Sequence, residues 1–311
     1  MPPDTANAPR PLGRSLTITV GEADGRLMPV FQVSDEIQVA TLVTGRPVAE
    51  VAETLPRVFN LCRAAQEGAL RLCLGLPPDP EGETRLRAEI LRDHVLHFCF
   101  LLPARFGLPP LKLPAGWAED PDATAAALFG PGRTLPHGLG AFADWLAAGQ
   151  GAAPVLTAIA NAFAPGEAVS DSLPLAPAAA PCENSPAARH SAHPLLREIK
   201  GKHGRGPLWR ATGRLVDAGA CLDGTIPAPV ALGPGRASAP SARGLYTVSA
   251  KVSDGVVMAL SRRTPTDDMI APDGALATAI AALPPARRHL LPLLVQLFDP
   301  CMSVRIEAAD A

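Results

Sequence analysis

No stretch of the 311-residue chain approaches the roughly 20 uninterrupted apolar residues that a membrane-spanning helix requires. The richest run, residues 290–298, is short and carries Pro292 and Gln296. An excess of either charge is also missing. The 28 Lys and Arg face 30 Asp and Glu for a net charge of −2, which offers no field to a nucleic acid or an anionic membrane surface. The opening residues 1–13 are Pro-rich and lack the apolar stretch of a secretory signal. No CxxC pair occurs among the six cysteines, and a chain of this length builds a core without disulfides. The expectation is a soluble cytoplasmic protein with reduced thiols.

Hydrophobic residues make up 47% of the chain and charged residues 19%, a globular composition. With 35 Pro and 27 Gly, long helices cannot fill it and many loops are expected. Residues 15–20 alternate polar and apolar, a turn follows at 21–25, and 26–32 read as the returning strand of a β-hairpin. Residues 47–76 have helical spacing that Pro56 interrupts, and 83–102 form a stronger helix ended by Pro103. Short helices are expected near 141–148, 154–163, 275–283 and 287–298. After Pro207 the character turns toward strands, with a second hairpin over 245–260 around Asp254-Gly255. The fold class is therefore α+β, a helical core with hairpins near both ends. It divides into an N-terminal half (1–165), a Pro/Ala/Ser-rich flexible loop or linker (166–205) and a C-terminal half (206–311) that packs back on the first.

Several segments carry sharper signals. LFDPC at 297–301 resembles the SFDPCxxC segment of nickel–iron hydrogenase large subunits, and PRVFNLC at 56–62 resembles their PRICGxC segment. Between them, DHVLHF at 93–98 resembles SHxLHFY, ARG at 242–244 resembles APRG, and RTPT at 263–266 resembles VPTTWN. The opening hairpin with GRP at 45–47 is similar to the family's N-terminal hairpin and GRDP turn. These landmarks occur in the family's order, and together they imply a truncated large-subunit-like fold.

The departures are as informative. In the family, four thiolates hold nickel and an iron that carries cyanide and carbon monoxide. Here Phe59 stands at the first cysteine of the first pair and Val304 at the second of the last pair, leaving Cys62 and Cys301. Gln66 replaces the family's His after the first pair, and LGRS at 12–15 replaces the RIEGH segment with its proton-handling Glu. Two thiolates cannot close a nickel cage, but they could hold an iron fragment whose remaining positions are filled by diatomic ligands. The resemblance places Cys62 at a bridging position and Cys301 at a terminal one, so Cys301 would have to shift toward iron. It also places Arg243 beside one cyanide and Thr266 beside the other.

The pattern resembles a degenerate large-subunit relative associated with hydrogenase maturation. It implies a non-enzymatic scaffold or chaperone for the Fe(CN)₂CO fragment, with no nickel. The implied partners are HypC- and HupF-type maturation chaperones and the hydrogenase large-subunit precursor. A metal-free interaction protein that keeps a large-subunit-like surface is the alternative, and a redox enzyme a third reading. Cys62 could also be ordinary core packing, as Cys73, Cys99 and Cys221 are read to be. His94 and His97 read as structural, and Arg57 and Arg243 could pair with buried carboxylates such as Asp299. Cys182, His190, His193 and His203 mix ligand types that suit nickel or zinc, or lie on a partner-docking loop.

Overall fold

The computed structural model describes residues 15–34, 39–59, 61–176 and 180–309. The LGRS segment read as the RIEGH replacement lies outside the described residues except for Ser15, as does Asn60 of the first cysteine segment.

The alternating residues at the start form β1 (Ser15–Ala23), which buries Leu16, Ile18 and Val20 and pairs antiparallel with β2 (Arg26–Val33). Helices α1 (Val39–Val43), α2 (Val48–Val58) and α3 (Arg63–Cys73) follow. Pro56 lies inside α2, which runs on to Val58, and α3 begins at Arg63, so the helices do not part at the proline. Next come α4 (Gly82–Leu96), a π-helical turn at His97–Leu101 and α5 (Leu102–Arg105). Pro103 occupies the first turn of α5, where a missing N–H is tolerated, so the helical course continues past it.

The middle of the chain contributes α6 (Pro121–Phe129), α7 (Leu139–Ala148), α8 (Ala153–Ala162), α9 (Pro186–Arg189), α10 (Pro194–His203) and α11 (Pro207–Leu222). A second sheet has the order β3 (Val230–Ala231), β4 (Arg236–Ser241), β5 (Gly244–Ser253) and β6 (Val256–Arg263), with antiparallel neighbours throughout. Then come α12 (Pro265–Ile270), α13 (Ala275–Ala281), a 3₁₀ turn at Pro285–Leu290 and α14 (Leu291–Phe298). The final strand, β7 (Ser303–Ala308), runs parallel to β1 and completes a sheet of order β2-β1-β7. The α+β expectation holds. Among the described residues no single helix is long and apolar enough to cross a membrane.

Two expectations are corrected. Residues 207–222 are not the start of a strand region but the longest helix, α11, which packs on α4, α6, α8, α9, α10 and α14. Its sequence does carry a polar face, Arg210, Arg214 and Asp217 at i, i+4 and i+7, but that face is buried against neighbouring elements. The stretch 166–205, read as a flexible loop or linker, is integrated into the core over its described residues. Its small side chains permit close approach: a Cβ on Gly213 of α11 would lie 2.2 Å from that of Ala187 on α9. Its polar side chains are bonded inward. Arg210 of α11 donates from Nη1 to Glu183 Oε1 at 2.9 Å and from Nη2 to Ser170 Oγ at 2.9 Å, and its guanidinium lies over the Phe298 ring. Asn184 donates from Nδ2 to Asp268 Oδ2 at 2.7 Å and accepts from the Leu245 N–H at 2.6 Å. Composition suggested a linker because these residues are small and polar, but the buried Ser170, Glu183 and Asn184 have specific partners.

At the centre, the enclosed carboxylate of Asp217 on α11 accepts from His94 Nε2 at 2.8 Å, His190 Nε2 at 2.6 Å and Arg189 Nε and Nη2 at 2.9 Å each. Arg189 also donates to the Ser241 carbonyl at 2.8 Å. Helices α4, α9 and α11 and the end of β4 are thereby tied at one carboxylate. Burial alone would raise the Asp217 pKa, but Arg189, His190 and His94 outweigh it and hold it well below the carboxylate range. His94 is pushed down by burial, against the pull of Asp217.

On unfolding, His94 takes up a proton below about pH 6.5 and Asp217 below about pH 4. The unfolded chain then binds more protons than the native one, so stability falls as pH falls. Urea midpoints should decline from about pH 6.5 downward, first through His94 and then through Asp217. Asp217→Asn should cost about 3–5 kcal/mol at neutral pH and make the decline below pH 4 shallower, Asp299 keeping its own share of it. Gly213→Ala should lower the unfolding free energy by about 1–3 kcal/mol through overpacking against α9, whereas docking of 166–205 as a loose linker would leave it unchanged.

Candidate functional site

Both cysteine segments leave their helices through a left-handed residue. Cys62, at φ 53°, sits at the N-terminus of α3, and Asp299, at φ 54°, ends α14. Non-glycine residues adopt this conformation at a cost of about 1–2 kcal/mol, so neighbouring bonds must hold it. Around Cys62 they do. Gln66 donates from Nε2 to the Leu61 carbonyl at 2.9 Å, and the Glu89 carboxylate of α4 accepts from the backbone N–H of Ala64 at 2.9 Å and of Ala65 at 3.4 Å. The residue that replaces the family's His therefore serves as a clasp for the turn.

Arg243, in the tight β4–β5 turn, joins the two segments. Its Nε donates to the Asp299 carbonyl at 3.0 Å and Nη2 lies 3.0 Å from Asp299 Oδ2. Nη1 donates to Asp93 Oδ2 at 2.8 Å and lies 3.6 Å from Cys62 Sγ. Gly244, the next residue, has φ 145° and faces Asn184 so closely that a Cβ would lie 2.4 Å from its Oδ1, so the turn requires glycine. Asp299 also accepts from Arg214 Nη2 at 2.8 Å, with His97 Nε2 at 3.6 Å from Oδ1. Thr266, fully buried in the first turn of α12, accepts the Cys301 N–H on Oγ1 at 2.9 Å. Its hydroxyl proton remains available to donate. Thr264 fixes that turn with a capping box to Asp267.

The electrostatics follow from this arrangement. Burial pushes the Cys62 thiol up to about 11, against the lowering effect of Arg243. Burial would lower the Arg243 pKa, yet Asp299, Cys62 and Asp93 raise it and keep the guanidinium charged. Burial would raise Asp299, but Arg214, His97 and Arg243 hold it below the usual carboxylate range. The site is a half-buried thiol, Cys62, beside a fixed cation, with the half-buried Cys301 held through its backbone on Thr266. Among the described residues, no group of three or more His, Cys, Asp or Glu side chains is placed to hold a metal ion.

Of the sequence-derived residues, Cys62 and Arg243 come together, and so do Thr266 and the backbone of Cys301. The mixed cluster does not assemble. Cys182 lies 3.5 Å from Arg263, His190 is bound to Asp217, His193 stacks on His137, and His203 is in the last turn of α10. Arg57 pairs with Glu53 on the surface of α2 rather than with Asp299. Asp93, Glu89 and Arg214 were not anticipated as site residues. Asp93 and His97, four apart, already implied a shared helical face, whereas Arg214 was hidden because α11 was not recognised.

No protein-family model matches the chain. Over 298 residues it is 43% identical to the hydrogenase expression/formation protein HupK of Rhodobacter capsulatus, covering 95% of this chain and 98% of that relative. The structure is similar to that of the Ni-Fe-Se hydrogenase from Desulfovibrio vulgaris Hildenborough in the as-isolated oxidised state, with TM-score 0.61, 14% identity and 93% and 98% of the two chains covered. It is also similar to the reduced, active form from Desulfomicrobium baculatum, with TM-score 0.57, 12% identity and coverage of 91% and 95%. The chain thus has the hydrogenase large-subunit fold, as the ordered motifs implied.

Replacing the guanidinium should expose how much of this region it holds. Arg243→Leu leaves Asp93 and Asp299 facing each other with a lost partner, at an expected cost of about 3–5 kcal/mol in urea unfolding. Adding Asp93→Asn should recover part of that loss in a double-mutant cycle, and strict additivity would refute the clamp.

Proposed function

Because the chain belongs to the family of the hydrogenase expression/formation protein HupK, we propose that it is a hydrogenase maturation protein that carries or shelters the Fe(CN)₂CO fragment on its way to the large-subunit precursor. The observation that carries this reading is the contact of Cys62 Sγ with Arg243 Nη1 at 3.6 Å, on a guanidinium that is also bonded to the segment bearing Cys301. Thiols are soft donors that suit low-spin iron, and a guanidinium and a buried hydroxyl suit the nitrogen ends of cyanide. Cys62 and Cys301 would hold the iron, with Arg243 and Thr266 as donors to its ligands. The fragment brings its own diatomic ligands, so a third protein ligand is not required of the site.

Nickel is not part of this proposal. Phe59, at the position of the family's first cysteine, carries the Arg262 guanidinium 4.1 Å over its ring, a positive charge where a thiolate would be needed. Val304, at the last cysteine, is built into β7 in register with Leu16. The role is carriage rather than catalysis, in the cytoplasm, with HypC- or HupF-type chaperones and the large-subunit precursor as donor and acceptor. The absence of a three-residue metal group among the described residues favours a second reading, a metal-free protein that binds the same partners through its large-subunit-like surface.

One experiment separates the two readings. The protein is purified without oxygen from cells with intact maturation machinery, and its infrared spectrum is recorded. Cyanide and carbon monoxide stretching bands should be present and should disappear in Cys62→Ala and in Cys301→Ala. A spectrum without bands, together with full hydrogenase maturation by both variants, would establish the metal-free reading instead.

A further inference from the structure

The sheet β2-β1-β7 ends in two unlike edges. Beyond the end of β2, Ser34 donates to the Ser15 carbonyl at 2.8 Å, so by alternation the odd-numbered residues of β2 turn their backbone groups away from β1. Pro29 is one of them and has no N–H to offer, and α13 packs on this strand. The β7 edge has no such protection. Ala309 donates to the Val20 carbonyl at 3.2 Å, so the odd-numbered residues of β7 face β1 and the backbone groups of Val304, Ile306 and Ala308 face outward. No described residue bonds to these outward groups, and β1 is the one described element on which β7 packs extensively. The strand carries neither a proline nor a bulge. Such an edge is a template for another strand.

The side chains of β7 specify what that strand is. Arg305 and Glu307 lie on the outer face of the sheet, 76% and 44% exposed and 3.1 Å apart. Val304 and Ile306 lie on the opposite face, in register with the buried Leu16 and Ile18, and are themselves only partly covered. Two antiparallel copies of SVRIEA related by a two-fold axis at Ile306 set Arg305 of each opposite Glu307 of the other. These are non-hydrogen-bonded pairs, where facing side chains approach most closely. The same axis pairs Ile306 with Ile306 and Val304 with Ala308 at the positions whose backbone groups face outward. An axis moved to Arg305 or to Glu307 would instead oppose like charges, which is destabilising. The strand is therefore complementary to itself in one register.

We propose that the β7 edge is a self-association surface, through which two copies of the chain join into one six-stranded sheet of order β2-β1-β7-β7-β1-β2. The inference is independent of the cargo reading. Backbone bonds between the two strands supply the attraction, the apolar pairs extend the covered face of each sheet, and the reciprocal Arg305–Glu307 pairs select the register and the partner.

The test is sedimentation velocity of the full chain over a wide concentration range, with circular dichroism to check each fold. The wild type should move reversibly toward twice the monomer mass as concentration rises. Arg305→Glu and Glu307→Arg should each weaken association at least tenfold, because each sets like charges opposite one another twice. The double variant Arg305→Glu with Glu307→Arg restores opposite pairs and should recover most of the wild-type affinity. A mixture of the two single variants should form a heterodimer, since every facing pair is then again of opposite sign. Both positions are exposed, so these exchanges leave the core untouched. Hydrogen exchange should show the amides of Val304, Ile306 and Ala308 protected at high concentration and open at low. A wild type that stays monomeric throughout would overturn the proposal, as would association that the single variants leave unchanged or that the double variant fails to restore.

Discussion

One guanidinium organises the molecule's functional end. Arg243 bonds to Asp93 on α4 and to both the carbonyl and the carboxylate of Asp299 after α14, and it reaches Cys62 before α3. Three elements distant in sequence are thus held by a side chain whose charge the surrounding acids maintain. A buried ion pair is not by itself strong evidence of stability, since desolvation offsets most of the Coulombic gain. Its value here is geometric. Both left-handed residues, Cys62 and Asp299, meet the same planar donor, whose fork permits several directed bonds at once. A lysine would supply the charge without that geometry.

The Asp217 hub does for the core what Arg243 does for the site. It fixes α11 against α4 and α9, and α4 carries both His94, which faces the hub, and Asp93 and His97, which face the site. Adjacent residues of one helix therefore connect the two networks. Rigidity at the centre is passed directly to the carboxylate that positions the guanidinium beside Cys62.

The hairpins, the helices with clear periodicity and the meeting of Cys62 with Arg243 were legible in the sequence. Alternation in β1 and the Asp254-Gly255 turn each have a local physical cause. The landmark motifs carried the rest. What was not legible depends on long-range contact. Helix α11 carries Arg210, Arg214 and Asp217 on one face that only long-range contacts bury, and Ala187 and Ala188 read as linker because their role is to let helices approach. Val304 signalled a lost cysteine, but nothing local indicated that β7 would return to lie parallel to β1. Arg214 and Glu89 reach the site from elements whose proximity only the fold defines.

Under the proposed reading, the chemistry left at the site would suit transfer better than retention. A closed tetrathiolate cage resists ligand loss because all its donors are preorganised on one scaffold, whereas two thiols, one of them pushed up to about 11 by burial, would leave the proposed fragment dependent on ligands it brings with it. Phe59 with Arg262, and Val304 within β7, replace the other two donors with groups that contribute packing and charge. The same substitutions need not disturb the fold, since each new residue has a structural partner of its own. A large-subunit architecture can therefore differ at these two positions and still keep the Cys62–Arg243 contact and the Thr266 bond to the Cys301 backbone.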